Sequence, residues 1–310
     1  MRCDLHVHSI HSGAADLPVL RHVGNECYSE PQAVYARARE RGMDLVTLSD
    51  HDTIDGALRL AHLPDTFVSE EVTLLLPEGR QLHVNVFDID EAQHVAIQGR
   101  RDDPEAFFAR IAERRIPASV NHLFSALTGE RALADLHLPL GRLPLIEGLS
   151  NAMPTGHNAA AQRVGREAGM APIGGSDAHS LAHVARAFTI VPGARTKREF
   201  LQGLRSGLTI PAGGSGSYAR LTKEVSCVFA AGYADAGRAL ARGEGSLRRC
   251  AALGLLVPLL PLLPLVTLGI WAHEVAFAAA HYRAFRRSLD ARTRTLFEPS
   301  IRALRLEEAA

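Results

Sequence analysis

Apolar and polar positions change their period along this chain. Between residues 2 and 8 they alternate, which predicts a strand. Residues 31–41 (PQAVYARARER) repeat at helical spacing, with Ser29 as a candidate N-cap and Gly42 past the end, so a helix is predicted. The short apolar run 44–49 (DLVTLS) has the pattern of a buried strand, and 54–62 suggests a short helix. Strands over 66–76 and 81–89 flank the turn Pro77-Glu78-Gly79-Arg80. Helices over about 91–101 and 104–115 precede a strand at 117–121. Short strands at 145–149 and 171–175 flank a helix over about 156–169, and a strand at 187–191 precedes a helix at 196–206. Repeated strand–helix units with short apolar strands predict a largely parallel sheet, open or closed into a barrel.

The pattern changes near 213–217 (GGSGS), which reads as a linker or tight loop. A helix over 218–243 follows; Val225, Val228, Phe229 and Tyr233 on it mark a packing face rather than a binding box. The segment 250–272 (CAALGLLVPLLPLLPLVTLGIWA) has 23 residues and no charge, enough to span a bilayer. Pro258, Pro261 and Pro264 would kink a helix there. Arg248 and Arg249 precede it, and Arg283, Arg286 and Arg287 follow, so charge gives no clean orientation. A spanning, interfacial or re-entrant element and a buried apolar helix pair all fit. The division expected is 1–215 for one large domain and 216–310 for a helical extension.

Composition narrows the function classes. Lys+Arg and Asp+Glu both total 34, and a zero net charge weighs against a dedicated nucleic-acid binder. Cys3, Cys27, Cys227 and Cys250 form no pair motif and fit a reducing compartment. The opening MRCDLHVHS has no apolar stretch of signal-peptide type, so a cytoplasmic location is expected, with membrane association possible through 250–272.

Chemistry concentrates at predicted strand ends. His6 and His8 lie two apart on a strand and share a face, an arrangement that suits a divalent metal. Asp50, His51 and Asp52 follow the apolar strand 44–49, where Asp52 could equally cap a helix. Asp177 and His179 repeat the two-residue spacing in GGSDAHS, where Gly174 and Gly175 allow close backbone approach. Glu71, His83 and His122 fall on or at the ends of other strands. A carboxylate in an apolar strand is costly unless paired or metal-bound. So many ionisable groups at strand ends exceed what one core tolerates as isolated polar residues. His11, His22, His94, Cys27, Tyr28 and Arg186 are lesser candidates, Arg186 as a phosphate contact.

The motif order DLHVHS, TLSDHDT, SEEVT with LHV close behind, NH and GGSDAHS resembles the PHP (polymerase and histidinol phosphatase) family over about residues 2–210. That resemblance implies a distorted (β/α)7 barrel with a metal cluster at the C-terminal strand ends. It implies metal ligands at His6, His8, His51, Glu71, His83, His122, Asp177 and His179. Glu71 would bridge two ions, and Asp50 would fix His51. Two or three divalent ions (Mn, Zn or Fe) and a small phosphorylated substrate are expected, with Glu71, Asp50 and His179 in the catalytic set. A PHP-type nuclease and a non-catalytic metal-binding scaffold are the alternatives. The sequence departs from the family pattern in two places. Gly13 and Ala14 stand where the family supplies an Asp or His after its HxH, which leaves a third ion absent, weak, or held by His11 or Asp16. His122-Leu123 replaces the usual His-Pro.

Overall fold

The computed structural model describes residues 1–14 and 24–307, with the backbone alone for residues 248 and 290–307. Asp16 and His22 therefore lie outside the described residues. The elements run β1 (Arg2–Cys3), α1 (Pro31–Glu40), α2 (Asp55–Leu58), β2 (Ser69–Leu75), β3 (Gln81–Phe87), α3 (Glu91–Gln98), α4 (Pro104–Arg114) and β4 (Ala118–Val120). They continue with α5 (Leu133–His137), β5 (Leu145–Ser150), α6 (Thr155–Ala168), β6 (Ala171–Gly175), β7 (Ala187–Ile190), α7 (Lys197–Arg205) and β8 (Ile210–Gly213). The last helices are α8 (Tyr218–Ala241), α9 (Leu247–Leu256) and α10 (Leu263–Glu307).

Local chemistry explains most boundaries. Pro31 opens α1, where its missing N–H costs nothing. The expected Ser29 cap is not used: the N-cap is Glu30, without a side-chain hydrogen bond. Reciprocal capping boxes start α3 (Asp90 with Gln93) and α7 (Thr196 with Glu199).

The sheet is mixed rather than largely parallel. One sheet has the order β2-β3-β4-β5-β6, antiparallel from β2 to β4 and parallel from β4 to β6. The turn Pro77–Gly79 explains the difference, since so short a connection returns the chain antiparallel. A second sheet, β1-β7-β8, is antiparallel throughout. The expected strand 44–49 is extended chain with one bridge, Val46 to Thr66. Hydrogen bonds tie these edges together. Ser49 N donates to Val7 O and Glu71 N to Asp50 O, while Asp177 N donates to His6 O and His8 N to Ala178 O.

Gly175 permits the approach of β6 to residues 6–8, and Gly174 its approach to β7. A Cβ on Gly175 would stand 2.3 Å from His6 Cβ, and one on Gly174 2.5 Å from Phe188 O. Gly175→Ala is expected to destabilise the chain by about 1–3 kcal/mol, the usual range for overpacking, measured by urea unfolding. An unchanged midpoint would contradict this close approach.

One apolar core lies between the five-stranded sheet and its helices, built from Val84, Phe107, Phe124, Ile146 and Val164 among others. The segment 250–272 is not one helix. It runs as α9, a tight turn at Val257–Leu262 holding Pro258 and Pro261, and then α10. Proline cannot donate the helical hydrogen bond, so the turn tightens there. Thr267, Glu274, Ala278 and Phe285 on α10 are buried at helical spacing and form one stripe. Glu274 accepts a hydrogen bond from Ala126 N at 2.9 Å, and Phe285 packs edge-on against Phe124. The stretch Arg249–Leu289 is long and apolar enough to cross a membrane, and Leu255, Val257, Leu259 and Leu265 stand exposed on it.

Candidate metal centre

Glu71 lies at the centre of the site. It sits mid-strand in β2 and is completely buried. Its Oε2 lies 3.2 Å from both His6 Nε2 and His51 Nδ1, and 3.5 Å from His8 Nε2. Its Oε1 lies 3.3 Å from His83 Nδ1 and His122 Nε2, and accepts a hydrogen bond from Asn121 Nδ2 at 2.7 Å. Asp177 Oδ1 stands 3.4 Å from His6 Nε2 and 3.3 Å from His8 Nε2. His179 stacks on His8 with ring centroids 4.3 Å apart. The structure thus gathers His6, His8, His51, Glu71, His83, His122, Asp177 and His179 in one place.

Two carboxylates escaped the sequence reading. Glu26 Oε1 lies 3.2 Å from His51 Nε2 and 4.0 Å from His179 Nε2. Glu26 joins His8, His51 and His179 in one candidate metal group, whereas His11 joins none among the described residues. Nothing in the long loop marks Glu26, since it follows no strand or spacing motif. Glu147 Oε1 lies 2.8 Å from His6 Nδ1, and its Oε2 accepts from His122 N at 3.0 Å. Glu147 was detectable by the criterion that selects Glu71, a carboxylate inside an apolar strand (LIEGLS).

Asp50 does not fix His51. It accepts from Ser9 N at 2.6 Å, Ser9 Oγ at 2.7 Å and Ser12 Oγ at 2.8 Å. Ser12 Oγ lies 2.9 Å from His8 Nδ1. Since Ser12 donates its only proton to Asp50, it accepts from His8 Nδ1–H, leaving His8 Nε2 free to face the cluster. Glu147 does the same for His6 through Nδ1. Asp50 therefore positions His8, from the far side of the 9–12 turn. Arg186, the candidate phosphate contact, is exposed. His94 pairs instead with Glu70, at 2.9 Å.

Charge and strain are both concentrated here. Burial would raise Glu71, but His6, His83, His51 and His122 hold its carboxyl well below the usual range. Burial would lower His6, yet Glu71, Asp177 and Glu147 push it well above its ordinary value. Burial and the neighbouring rings of His8, His83 and His179 push His51 well down despite Glu71. Burial raises the Cys27 thiol to about 12, so it is no nucleophile at neutral pH. His122 and Asp177 have positive φ, at 27° and 50°, a conformation uncommon for side chains other than glycine.

The donors fit divalent cations. His6, His8 and Asp177 offer ligand atoms within 4.8 Å of one another, as do three further sets: His6, Glu71 and His122; His51, Glu71 and His83; and His8, Glu26, His51 and His179. His6 Nε2, His8 Nε2, Glu71 Oε2 and both nitrogens of His83 are buried and make no hydrogen bond. So many unsatisfied donors and acceptors facing one another would be costly without a cation between them.

The helical segment after 215 contributes to this region. Glu224 of α8 accepts from His179 N at 2.6 Å and bonds Ser180 Oγ and His183 Nδ1, fixing the loop that carries His179. Val225, Val228 and Phe229, expected to be a packing face, line a cavity that opens on the cluster. Tyr233 packs as expected, its OH donating to Leu253 O at 2.8 Å.

Glu26→Ala is expected to lower metal occupancy by one ion and to leave the rest of the cluster loaded, as read by mass spectrometry of the native chain. Full occupancy would show that His51 and His179 hold an ion without it.

Residues 155–209 match the family model PHP_C, described as PHP-associated. The match covers that segment alone; it lies within the span of the PHP resemblance and supports it. No curated protein matches the chain. Among solved structures, one is a two-domain protein containing a predicted PHP-like metal-dependent phosphoesterase from Bacteroides vulgatus ATCC 8482. It is 14% identical, covering 73% of this chain and 69% of its own, with a TM-score of 0.49. PsfC from Pseudomonas syringae PB-5123 is 18% identical over 69% of this chain and 91% of its own, TM-score 0.47. An amidohydrolase from Chromobacterium violaceum with bound sulfate is 16% identical over 66% and 97%, TM-score 0.46. Likenesses at this level say nothing about the reaction of this chain.

Proposed function

We propose that this chain is a metal-dependent hydrolase that cleaves a phosphate ester. The observation that carries the reading is Glu71, whose two oxygens each face a different set of histidines in a buried cluster. His6, His8 and Asp177 would hold one ion, His83 and His122 a second, with Glu71 shared between them, and His51, His179 and Glu26 a third. When bound, such ions polarise a phosphoryl oxygen and lower the pKa of a water to near neutrality.

The chain's own residues supply the rest. Glu147, and Asp50 through Ser12, hold His6 and His8 so that Nε2 of each points into the cluster. Asp50 is too deeply buried to meet a substrate. Glu26, Asp177 and His179 line the opening, so a substrate enters on their side. With the third ion absent, His179 is the group there that can pass a proton to a leaving oxygen.

The backbone ties between residues 2–8, 45–51 and β2, and between residues 6–8 and 177–178, support a distorted seven-stranded barrel that carries these groups on one rim. A small phosphorylated molecule is the substrate class; the neutral chain gives no electrostatic support for nucleic acid.

The test is an assay with p-nitrophenyl phosphate in Mn²⁺ or Zn²⁺. The reading requires turnover that depends on the metal and disappears with EDTA. No metal-dependent turnover of any phosphate ester would remove it.

A further inference from the structure

The cavity beside the cluster has two unlike walls. Glu26, Asp177 and His179 form one, next to the candidate metal ligands. The other is apolar: Val225, Val228 and Phe229 come from α8, and Leu253 and Leu256 from α9. Its volume is about 270 Å³, room for a chain of several methylenes. The side chains of this far wall neither donate nor accept hydrogen bonds. Asn25, Tyr28 and Glu224 also line the cavity, but Tyr28 Oη already bonds Asn25 N and Arg249, and Glu224 already holds the His179 loop. Against the α8–α9 wall a sugar or nucleoside would leave its hydroxyls unpaired, whereas an alkyl chain would lose nothing.

A second observation points the same way. Leu253 and Leu256 face the cavity, while Leu255, Val257 and Leu259 of the same stretch are exposed. Apolar surface therefore continues from the cavity wall onto the outside of the molecule. Large exposed apolar patches on a folded protein mark sites of contact with a membrane or an apolar ligand.

We propose that the substrate is an amphiphile, a phosphate ester whose alkyl portion fills this cavity while its phosphate meets the cluster. The inference rests on the hydrolase reading for its reaction and on the cavity for its substrate class. In the reaction, water oxygen bonds to phosphorus and the phosphorus–oxygen bond to the alcohol breaks. The alcohol oxygen takes a proton, and phosphate and a long-chain alcohol leave. The same chemistry could be presented by a bilayer or by a dissolved amphiphile.

The test is calorimetric binding of butyl-, octyl- and dodecylphosphonate, each below its micelle concentration, to the manganese-loaded full chain. Affinity is expected to rise about three- to fourfold per added methylene until the cavity is full, the ordinary gain for burying that group. Val228→Asp, checked for folding by circular dichroism, is expected to flatten the series. Equal affinities across the series on the unmodified chain would overturn the proposal. Flotation with phosphatidylcholine vesicles containing phosphatidic acid identifies a bilayer source. A chain-length effect without flotation identifies a dissolved one, and either result supports the inference. A flat series with p-nitrophenyl phosphate turnover intact sinks this inference alone. A steep series with no ester hydrolysed sinks the hydrolase reading and leaves the cavity's preference standing.

Discussion

Glu71→Ala is expected to strip the chain of most of its metal and nearly all of its hydrolytic activity. Five imidazoles approach its two oxygens, so one substitution removes the anion common to them. Outer partners of a metal ligand typically cost about 10–100-fold when lost. A carboxylate at the centre of several sites should exceed that, so kcat/KM should fall by at least about a thousandfold. Without the Glu71 charge, the close rings of His6, His8 and His51 also lose the anion between them. Retained metal with retained activity would show that Glu71 is only a structural counter-charge. Glu71→Gln separates the cases, because it keeps the volume and one carbonyl oxygen while removing the charge.

Phe285→Ala is expected to be the most destabilising substitution in the helical segment. Phe285 is 1% exposed and packs edge-on against Phe124, with the His137 ring 4.7 Å from its own. Truncating a buried phenylalanine costs about 3–5 kcal/mol, through lost transfer energy and the cavity left behind. The loss should appear as a lower urea midpoint for the whole transition, since Phe285 belongs to the same core as Val84 and Ile146. A change confined to a separate transition would mean that α10 folds independently of the sheet.

The ligand set was readable because of where its members lie. His6 with His8, and Asp177 with His179, share a face at spacing two. Glu71, His83 and His122 are polar residues on or beside apolar strands, and each such placement needs a reason. Glu26 lacks any such signature: it comes from a loop, and folding alone brings it to His51. Glu224 is likewise silent, one carboxylate on a helix whose apolar stripe accounts for its packing. Asp50 shows the opposite failure. Its neighbour in sequence is His51, but its partners Ser9 and Ser12 lie in a turn about forty residues earlier.

The fold was legible in its elements and less so in its pairing. Strand–helix alternation suggested a parallel sheet, whereas the short turn after Leu76 already required β2 and β3 to be antiparallel. The strand expected over 44–49 has the right composition, yet bridges at only one residue within that span, Val46, because its neighbours meet it at isolated points. The apolar segment 250–272 carried an ambiguity that hydropathy cannot resolve. The buried stripe of α10, Thr267 within that segment and Glu274, Ala278 and Phe285 beyond it, requires knowing what α10 packs against.

The most direct measurement is anomalous diffraction from crystals of the chain grown with manganese or zinc. Two or three peaks are expected within the cluster, each touching at least two of His6, His8, Glu26, His51, Glu71, His83, His122, Asp177 and His179. A well-ordered cluster with no peak at either absorption edge would contradict the account.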